Sequence, residues 1–150
     1  MELDETDFRI IRLLVEDGRA PYARIGAEVG LSAHAAADRV RRLRRADVIT
    51  AFTAVVDFER MGRGLEAYID IRLMPNTDPD RFEAHAATID TIEELAFVTG
   101  RFDYQVRVAC TDPDQLDRTV RALRQTGGAA QTETRIVLRS TSKGTVAAKR

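Results

Sequence analysis

Hydrophobic residues recur at helical spacing up to about residue 46, and from residue 65 onward they alternate at strand spacing. The break between the two patterns is the glycine-containing stretch Met61-Gly62-Arg63-Gly64. The sequence therefore predicts an α+β protein, with an N-terminal winged helix-turn-helix domain followed by a ferredoxin-like βαββαβ domain. We place the first domain at residues 1–52, a linker at 53–64, the second domain at 65–141 and a flexible tail at 142–150.

Length and composition limit the classes of protein to consider. The 150 residues are 44% hydrophobic and 31% charged, with a formal net charge of -1, which is typical of a packed soluble fold. No apolar run approaches the ~20 residues that a membrane-spanning helix needs, and the acidic N-terminus lacks the features of a signal peptide. A single cysteine, Cys110, fits a reducing compartment, so we expect a cytoplasmic protein. With only two histidines, we expect no metal and no cofactor.

The first 32 residues contain the signals of two helices and a tight turn. Asp4 is a good N-cap with Asp7 at the third helical position, and Asp17-Gly18 ends the first helix. A second helix begins at Pro21 and ends at Gly30, only two residues before a new N-cap, Ser32. Two short helices joined so closely, the first ending in glycine, indicate a helix-turn-helix.

The third predicted helix, from about Ala33 to Ala46, carries the candidate contacts to nucleic acid. A narrow apolar stripe faces the core, and polar side chains lie opposite it. Small residues in the first turn let the backbone approach a groove floor, and arginines can then bind phosphates or guanine edges. The alternative is a solvated arginine-rich face, but the preceding tight turn favours DNA. The candidate DNA-binding residues are Ser32, Ala33, His34, Ala37, Asp38, Arg41, Arg42 and Arg45.

After the third helix, residues 48–56 are rich in β-branched side chains and alternate, which suggests a short hairpin or wing. Asp47 precedes this segment, at a position where a left-handed glycine often ends a helix.

The second half reads strand, helix, strand, strand, helix, strand. Strands are predicted from residue 65 to about 74, at 93–99, from 104 to 110 and from 132 to 138, with helices after Pro79 and after Asp112-Pro113. This order is that of a ferredoxin-like split βαβ fold. One sheet face is apolar and takes both helices, and Cys110 lies on it as a core residue.

The other sheet face is mixed, and it includes Tyr68, Arg72, Met74, Arg107, Arg135 and Val137. It either faces solvent or forms a partly hydrated subunit interface, since tyrosine, methionine and arginine are enriched at interfaces.

Several motifs are similar to those of the Lrp/AsnC (feast/famine) family of prokaryotic transcription regulators. In the N-terminal half they are Leu3-Asp4 with Asp7, Ile10, Ile11 and Leu14, then Asp17-Gly18-Arg19, Gly30-Leu31-Ser32, Arg39-Val40 with Arg42-Leu43, and Val48-Ile49. In the C-terminal half they are Val98-Thr99-Gly100-Arg101-Phe102-Asp103-Tyr104 and Val137-Leu138. Asp47 and Ala36 differ from the family, which usually has glycine and a larger aliphatic residue there.

The resemblance implies a regulator that binds double-stranded DNA in the prokaryotic nucleoid and responds to a small effector, usually an amino acid. It also implies a homodimer formed through the α/β domain, with dimers assembling into octamers or similar rings. Effectors in this family bind near a dimer–dimer junction around a Gly-x-x-Asp loop. By position, the candidate effector-binding residues are Gly100, Arg101, Phe102, Asp103 and Tyr104, with Thr132 and Thr134 as neighbours.

The loop chemistry fits an amino acid, although a structural interpretation stays open. Backbone N–H groups at Gly100 can bind a carboxylate, Asp103 can bind an ammonium group, and an aromatic ring can cover the side chain. Alternatively, Asp103 caps a turn and Gly100 supplies a positive φ.

Two other classes of function are weighed against a transcription regulator. The chain could be an architectural protein that bends or wraps DNA without an effector. An enzyme is disfavoured, because the sequence shows no nucleophile–base pair, metal ligand set or phosphate-binding glycine loop.

Overall fold

The computed structural model describes residues 2–125 and 128–140. Its contacts divide the chain into two compact units between Val55 and Val56, a point inside the predicted linker. The predicted tail, residues 142–150, lies outside the described residues.

Three helices make up the N-terminal unit: α1 (Glu5–Glu16), α2 (Tyr22–Val29) and α3 (Ala33–Arg45). The predicted capping box is confirmed, because Asp4 accepts from the Asp7 backbone and Asp7 accepts from that of Asp4. The core is formed by Ile10, Ile25, Val40 and Leu43, all at most 1% exposed. Burying such a side chain contributes about 1.5–3 kcal/mol, so the helices are stable only when packed together.

The turn between α2 and α3 has the glycine geometry of a tight helix connection. Gly30 adopts φ 75°, and the Leu31 N–H donates to the carbonyl of Gly26 at 2.8 Å. The Ser32 hydroxyl then accepts from the Ala35 N–H at 3.1 Å and starts α3. Gly26 is also required, since a Cβ there would lie 2.5 Å from the Leu31 carbonyl oxygen.

The predicted hairpin or wing at residues 48–56 is wrong. Asp47 does adopt the left-handed conformation, with φ 53°, and Val48 and Ile49 both donate to the carbonyl of Leu43. No strand follows, however, among the described residues between α3 and β1. The β-branched segment has no neighbouring strand with which to pair, and strand propensity alone does not make a ladder.

The C-terminal unit contains β1 (Leu65–Leu73), α4 (Pro79–Ala86), β2 (Ile92–Phe97), β3 (Tyr104–Cys110), α5 (Pro113–Gln125) and β4 (Ala129–Ile136). The strands form one antiparallel sheet in the order β2-β3-β1-β4, which confirms the predicted βαββαβ fold. β2 ends two residues earlier than predicted, because the Val98 N–H turns back to the carbonyl of Asp103. β4 starts three residues earlier, directly after Gly128 turns the chain with φ 79°.

The two sheet faces differ as the alternation predicts. Ile69, Ile71, Val106 and Val108 are fully buried on the helix side. Cys110 is buried there too, and burial raises the pKa of its thiol.

The opposite face carries charge pairs between neighbouring strands. Arg107 lies 2.8 Å from Glu66, and Asp70 accepts from Arg135 at 2.6 Å. Whether this face contacts another subunit stays a prediction.

Among residues 2–125 and 128–140, no helix is long and apolar enough to cross a membrane.

Candidate functional site

The outward side of α3 presents four side chains in one line, here called the outer row: His34, Asp38, Arg41 and Arg45. They are four, three and four residues apart, so they lie along one face of the helix over about 16 Å. The side chains of His34, Asp38 and Arg41 are 85%, 54% and 53% exposed, and Arg45 is exposed as well.

Asp38 connects the outer row. Its Oδ2 lies 3.3 Å from the Nε2 of His34, and its Oδ1 accepts from the Nη2 of Arg41. Arg45 makes no ion pair within the part of the chain that the structure describes. Among the described residues, the row therefore combines a guanidinium without an ion pair, that of Arg45, with one that an acid holds in place, that of Arg41.

The two remaining arginines of the middle of α3, Arg39 and Arg42, here called the inner pair, bind a buried acid instead. Asp7 is 0% exposed, and the Nη2 of Arg42 lies 2.6 and 2.8 Å from its two oxygens. Arg39 donates to Asp7 at 3.0 Å and to Asp4 at 2.5 Å. The hydrogen bond from Arg39 lowers the pKa of Asp4, and the bond to Asp4 raises the pKa of Arg39.

The predicted DNA-binding residues thus fall into three groups. Ala33, His34, Asp38, Arg41 and Arg45 are exposed on α3, and Ser32 caps the helix. Ala37 is not the exposed residue that was expected, because it is only 7% exposed. Arg42 is held by Asp7, an arrangement that the sequence could have signalled, since Asp7 interrupts the apolar stripe of α1 and Arg39 and Arg42 are three residues apart.

The C-terminal end of α3 adds a residue that the sequence did not single out. Arg41, Arg44 and Arg45 line a shallow open depression together with Asp47, Ile49 and Thr50. The guanidinium of Arg44 also lies 5.7 Å from the ring centroid of Phe52. Three guanidinium groups around one depression are suited to an anion such as a phosphate.

The loop between β2 and β3 is built around Asp103. Its N–H donates to the carbonyl of Ile71 at 2.8 Å, and its Oδ2 accepts from the N–H of Leu73 at 2.8 Å. The carboxylate therefore extends the β1–β3 ladder one step beyond the end of β3. Gly100 adopts φ 114°, and apart from its chain neighbours no described residue has an atom within 4 Å of the position its Cβ would take, so the structural roles of both residues are observed.

The other predicted effector residues differ in accessibility. The carbonyl of Arg101 accepts from the Nε of Arg72 at 2.9 Å, and the Arg101 guanidinium lies 5.3 Å from the ring of Phe102. Tyr104 is 1% exposed and donates to Glu83 at 2.7 Å, so it belongs to the core and does not line an open site. Burial, followed by Glu83, raises the pKa of its hydroxyl.

Thr132 and Thr134 lie on β4, opposite Ile71 and Ile69 of β1. Strand β1 therefore separates both threonines from β3 and its loop.

Within the described ranges, no group of three or more His, Cys, Asp or Glu side chains is arranged to hold a metal ion.

Family models match both halves of the chain. Residues 3–44 match the AsnC-type helix-turn-helix domain, and residues 66–147 match the Lrp/AsnC ligand binding domain.

Relatives of known name match over nearly the whole length. The HTH-type transcriptional regulator Rv2324 of Mycobacterium tuberculosis is 36% identical over 91% of this chain and 92% of its own length. The regulator FL11 of Pyrococcus horikoshii is 30% identical over 92% of this chain and 91% of its own.

Solved structures give the same result. The leucine response regulatory protein LrpA of M. tuberculosis superposes with a TM-score of 0.82, at 28% identity over 94% of this chain and 96% of that one. The feast or famine regulatory protein Rv3291c of M. tuberculosis, complexed with L-methionine, superposes with a TM-score of 0.89, at 28% identity over 95% and 96%. The chain therefore belongs to the Lrp/AsnC family and is a DNA-binding transcriptional regulator with a ligand-binding domain.

Proposed function

We propose that the protein binds specific DNA sequences by placing the outer row of α3 in the major groove. The observation that carries this proposal is the exposed line of His34, Asp38, Arg41 and Arg45 directly after a tight helix-turn-helix connection. Ser32 and Ala33 lie at the start of the same helix, where small side chains allow close approach to the groove. Arg44 and the depression beside it contact a phosphate at the rim. Arg42, held by Asp7, serves the fold.

The protein acts as a homo-oligomer. A dimer formed through the C-terminal unit presents two copies of α3 to half-sites roughly 34–36 Å apart, or at multiples of that distance. Dimers assemble further into an octamer or a similar ring. The mixed sheet face with Tyr68, Arg107 and Arg135 is the surface we assign to the dimer, because its charge pairs are already satisfied within the subunit.

The effector is an amino acid that binds at the loop from Gly100 to Asp103. The methionine complex of Rv3291c supports this class of ligand. Of the predicted residues, Gly100, Arg101 and Phe102 remain accessible, and among the described residues the carboxylate of Asp103 has a partner only at its Oδ2. Binding changes how dimers are arranged and so the spacing of the two α3 helices. Such coupling is typically worth ~1–3 kcal/mol and is reciprocal between DNA and effector.

DNA binding is tested by fluorescence anisotropy of the full-length protein on a duplex selected from a random pool, against an unrelated duplex of equal length. We expect the double variant R41A/R45A to lose most of its affinity for the selected duplex at moderate salt. The variant R118A/R121A removes the same charge from α5 and should bind normally. Unchanged affinity in R41A/R45A would remove the outer row from the interface.

Effector binding is tested by thermal shift with each of the twenty amino acids, because a ligand that prefers the folded state raises the apparent stability. The responding amino acid is then tested on D103N, which keeps an acceptor for the Leu73 N–H but removes the charge. We expect D103N to remain folded and to lose the shift. If no amino acid shifts wild type, the protein is instead an architectural DNA-bending or wrapping protein.

A further inference from the structure

The outer row contains one acidic side chain, Asp38, between His34 and the two arginines. The carboxylate is 54% exposed and lies near the middle of α3. DNA phosphates repel a carboxylate, so an acid at this place weakens any contact that depends on charge alone. That cost is offset where the carboxylate faces base edges on the groove floor and accepts a hydrogen bond from them.

Base edges differ in what they offer to such an acceptor. In the major groove, only cytosine N4 and adenine N6 are amino donors, whereas guanine and thymine present acceptors. An ionised carboxylate can accept but cannot donate. Adenine also presents N7, an acceptor beside its amino group, which repels a carboxylate. The cytosine amino group has an acceptor, the O6 of its paired guanine, on one side only and a C5–H on the other, whereas the adenine amino group lies between two acceptors, so cytosine is the base that fits best.

The contacts of Asp38 fix its direction and leave room for a base. The Nε2 of His34 lies 3.3 Å from one oxygen and Arg41 donates to the other, so the carboxylate has a neighbour on each side along the row. A carboxylate has about four acceptor positions on its two oxygens, and these two contacts use only part of them. The same contact holds the Arg41 guanidinium beside the carboxylate, where it can donate to O6 and N7 of a guanine.

We propose that Asp38 is a specificity-determining residue that requires a cytosine in each half-site, with Arg41 reading a guanine of the same or the adjacent base pair. The assignment rests on the proposed placement of the outer row in the major groove. The acid selects a sequence by accepting from one base and by repelling the wrong ones.

The test is selection of binding sites from a random duplex pool by full-length wild type, D38A and D38N. D117A is the matched control, since Asp117 is a similarly exposed acid on α5 that also pairs with an arginine. We expect wild type and D117A to enrich the same motif with one cytosine per half-site. D38A should lose the preference at that position alone, and D38N should shift it toward adenine, which an amide can bind with both its donor and its acceptor.

Affinities on two duplexes separate base recognition from a general effect on folding or on Arg41. On the selected duplex, D38A should bind about five- to a hundredfold more weakly than wild type. On a duplex with that cytosine replaced, D38A should bind as tightly as wild type or more tightly, because the repelling acid is gone. A purely structural role would weaken both duplexes equally and would overturn the assignment.

Two results in the selection would also contradict the proposal, and they are distinguishable. If D38A enriches the wild-type motif with the same cytosine, Asp38 does not determine specificity, although sequence-specific binding stands. If wild type itself enriches no motif, sequence-specific binding is wrong and the assignment of Asp38 fails with it.

Discussion

Arg41 and Arg42 are neighbours in the sequence, and the structure gives them opposite tasks. Arg41 belongs to the outer row, where the exposed Asp38 pairs with it. Arg42 belongs to the inner pair and binds both oxygens of Asp7, which is 0% exposed. The number of arginines on α3 therefore does not give the number of its DNA contacts. The position of each arginine around the helix decides whether it is already paired within the protein.

The physical reason is the cost of burying an acid. A buried carboxylate without partners is destabilising by several kcal/mol, and Asp7 lies in the apolar interior between α1 and α3. Arg39 and Arg42 compensate that charge, and moving either toward a phosphate would take one of the two guanidinium partners from Asp7. No such cost opposes Arg41 or Arg45.

The largest effect is expected when the buried acid itself is removed. D7A should lower the free energy of unfolding by about 3 kcal/mol, because Arg42 loses the acid that holds it, Arg39 keeps only Asp4, and the capping box of α1 is broken. Urea denaturation followed by circular dichroism measures this. D117A, which removes an exposed acid, should change stability by less than about 0.5 kcal/mol. A D7A variant as stable as D117A would show that the inner pair does not support the fold.

A smaller loss is expected from the turn that sets the direction of α3. G26A places a Cβ 2.5 Å from the carbonyl oxygen of Leu31, so α2 and the turn must separate. We expect a loss of about 2 kcal/mol, as in an overpacked core. G30A meets no atom within 4 Å and suffers only from its φ of 75°, about 1 kcal/mol. Thermal unfolding compares the two, and equal losses would contradict the close approach at Gly26.

Removing single arginines compares the two faces directly. R42A should lower the free energy of unfolding by about 1–2 kcal/mol, because Asp7 keeps only Arg39 and Asp4 as partners. R41A should change it by less than about 0.5 kcal/mol, since it breaks an exposed pair. Urea denaturation measures both variants. A larger loss of the free energy of unfolding in R41A than in R42A would contradict the assignment of Arg42 to the fold and of Arg41 to the outer row.

The smallest expected effect is on the dependence of stability on pH, through the carboxyl group of Asp4. The folded pKa of Asp4 lies below its ordinary value of 3.8, chiefly because of the hydrogen bond from Arg39. Its contribution to stability is therefore complete above that value and is lost as the pH falls through the folded pKa. We expect D4N to lose less stability than wild type between pH 4 and more acidic conditions. Thermal unfolding at several pH values measures this, and parallel curves would contradict the role of Asp4.

Much of the fold follows from local signals, as particular residues show. Asp4, Gly30 and Ser32 begin and end helices in ways that depend on a few neighbours, and the alternation in β1 and β3 decides which side chains are buried. The prediction of a wing was wrong because a strand needs a partner strand, and the sequence of residues 48–56 does not indicate one. The requirement for glycine at position 26 was missed for a similar reason, because it arises from the path of the turn that follows α2.

The candidate site was predicted less completely than the fold. Helical spacing along α3 located His34, Asp38, Arg41 and Arg45, but it placed the buried Ala37 on the exposed side, and the link from Arg42 to Asp7 was missed because it needs the pattern of α1 as well. At the effector loop, Tyr104 was included through the family resemblance, although its alternation with Val106, Val108 and Cys110 along β3 places it on the buried face.

The salt dependence of DNA binding tests the division of α3 most directly. The logarithm of the binding constant should be measured against the logarithm of salt concentration for wild type, R41A and R42A on one selected duplex. Each lost phosphate contact lowers the magnitude of the slope by about 0.9 per DNA-bound subunit, and a lost base contact weakens binding. We predict weaker binding for R41A, and for R42A the slope and affinity of wild type under conditions where it is folded. Equal losses in slope or affinity for the two variants would contradict the account.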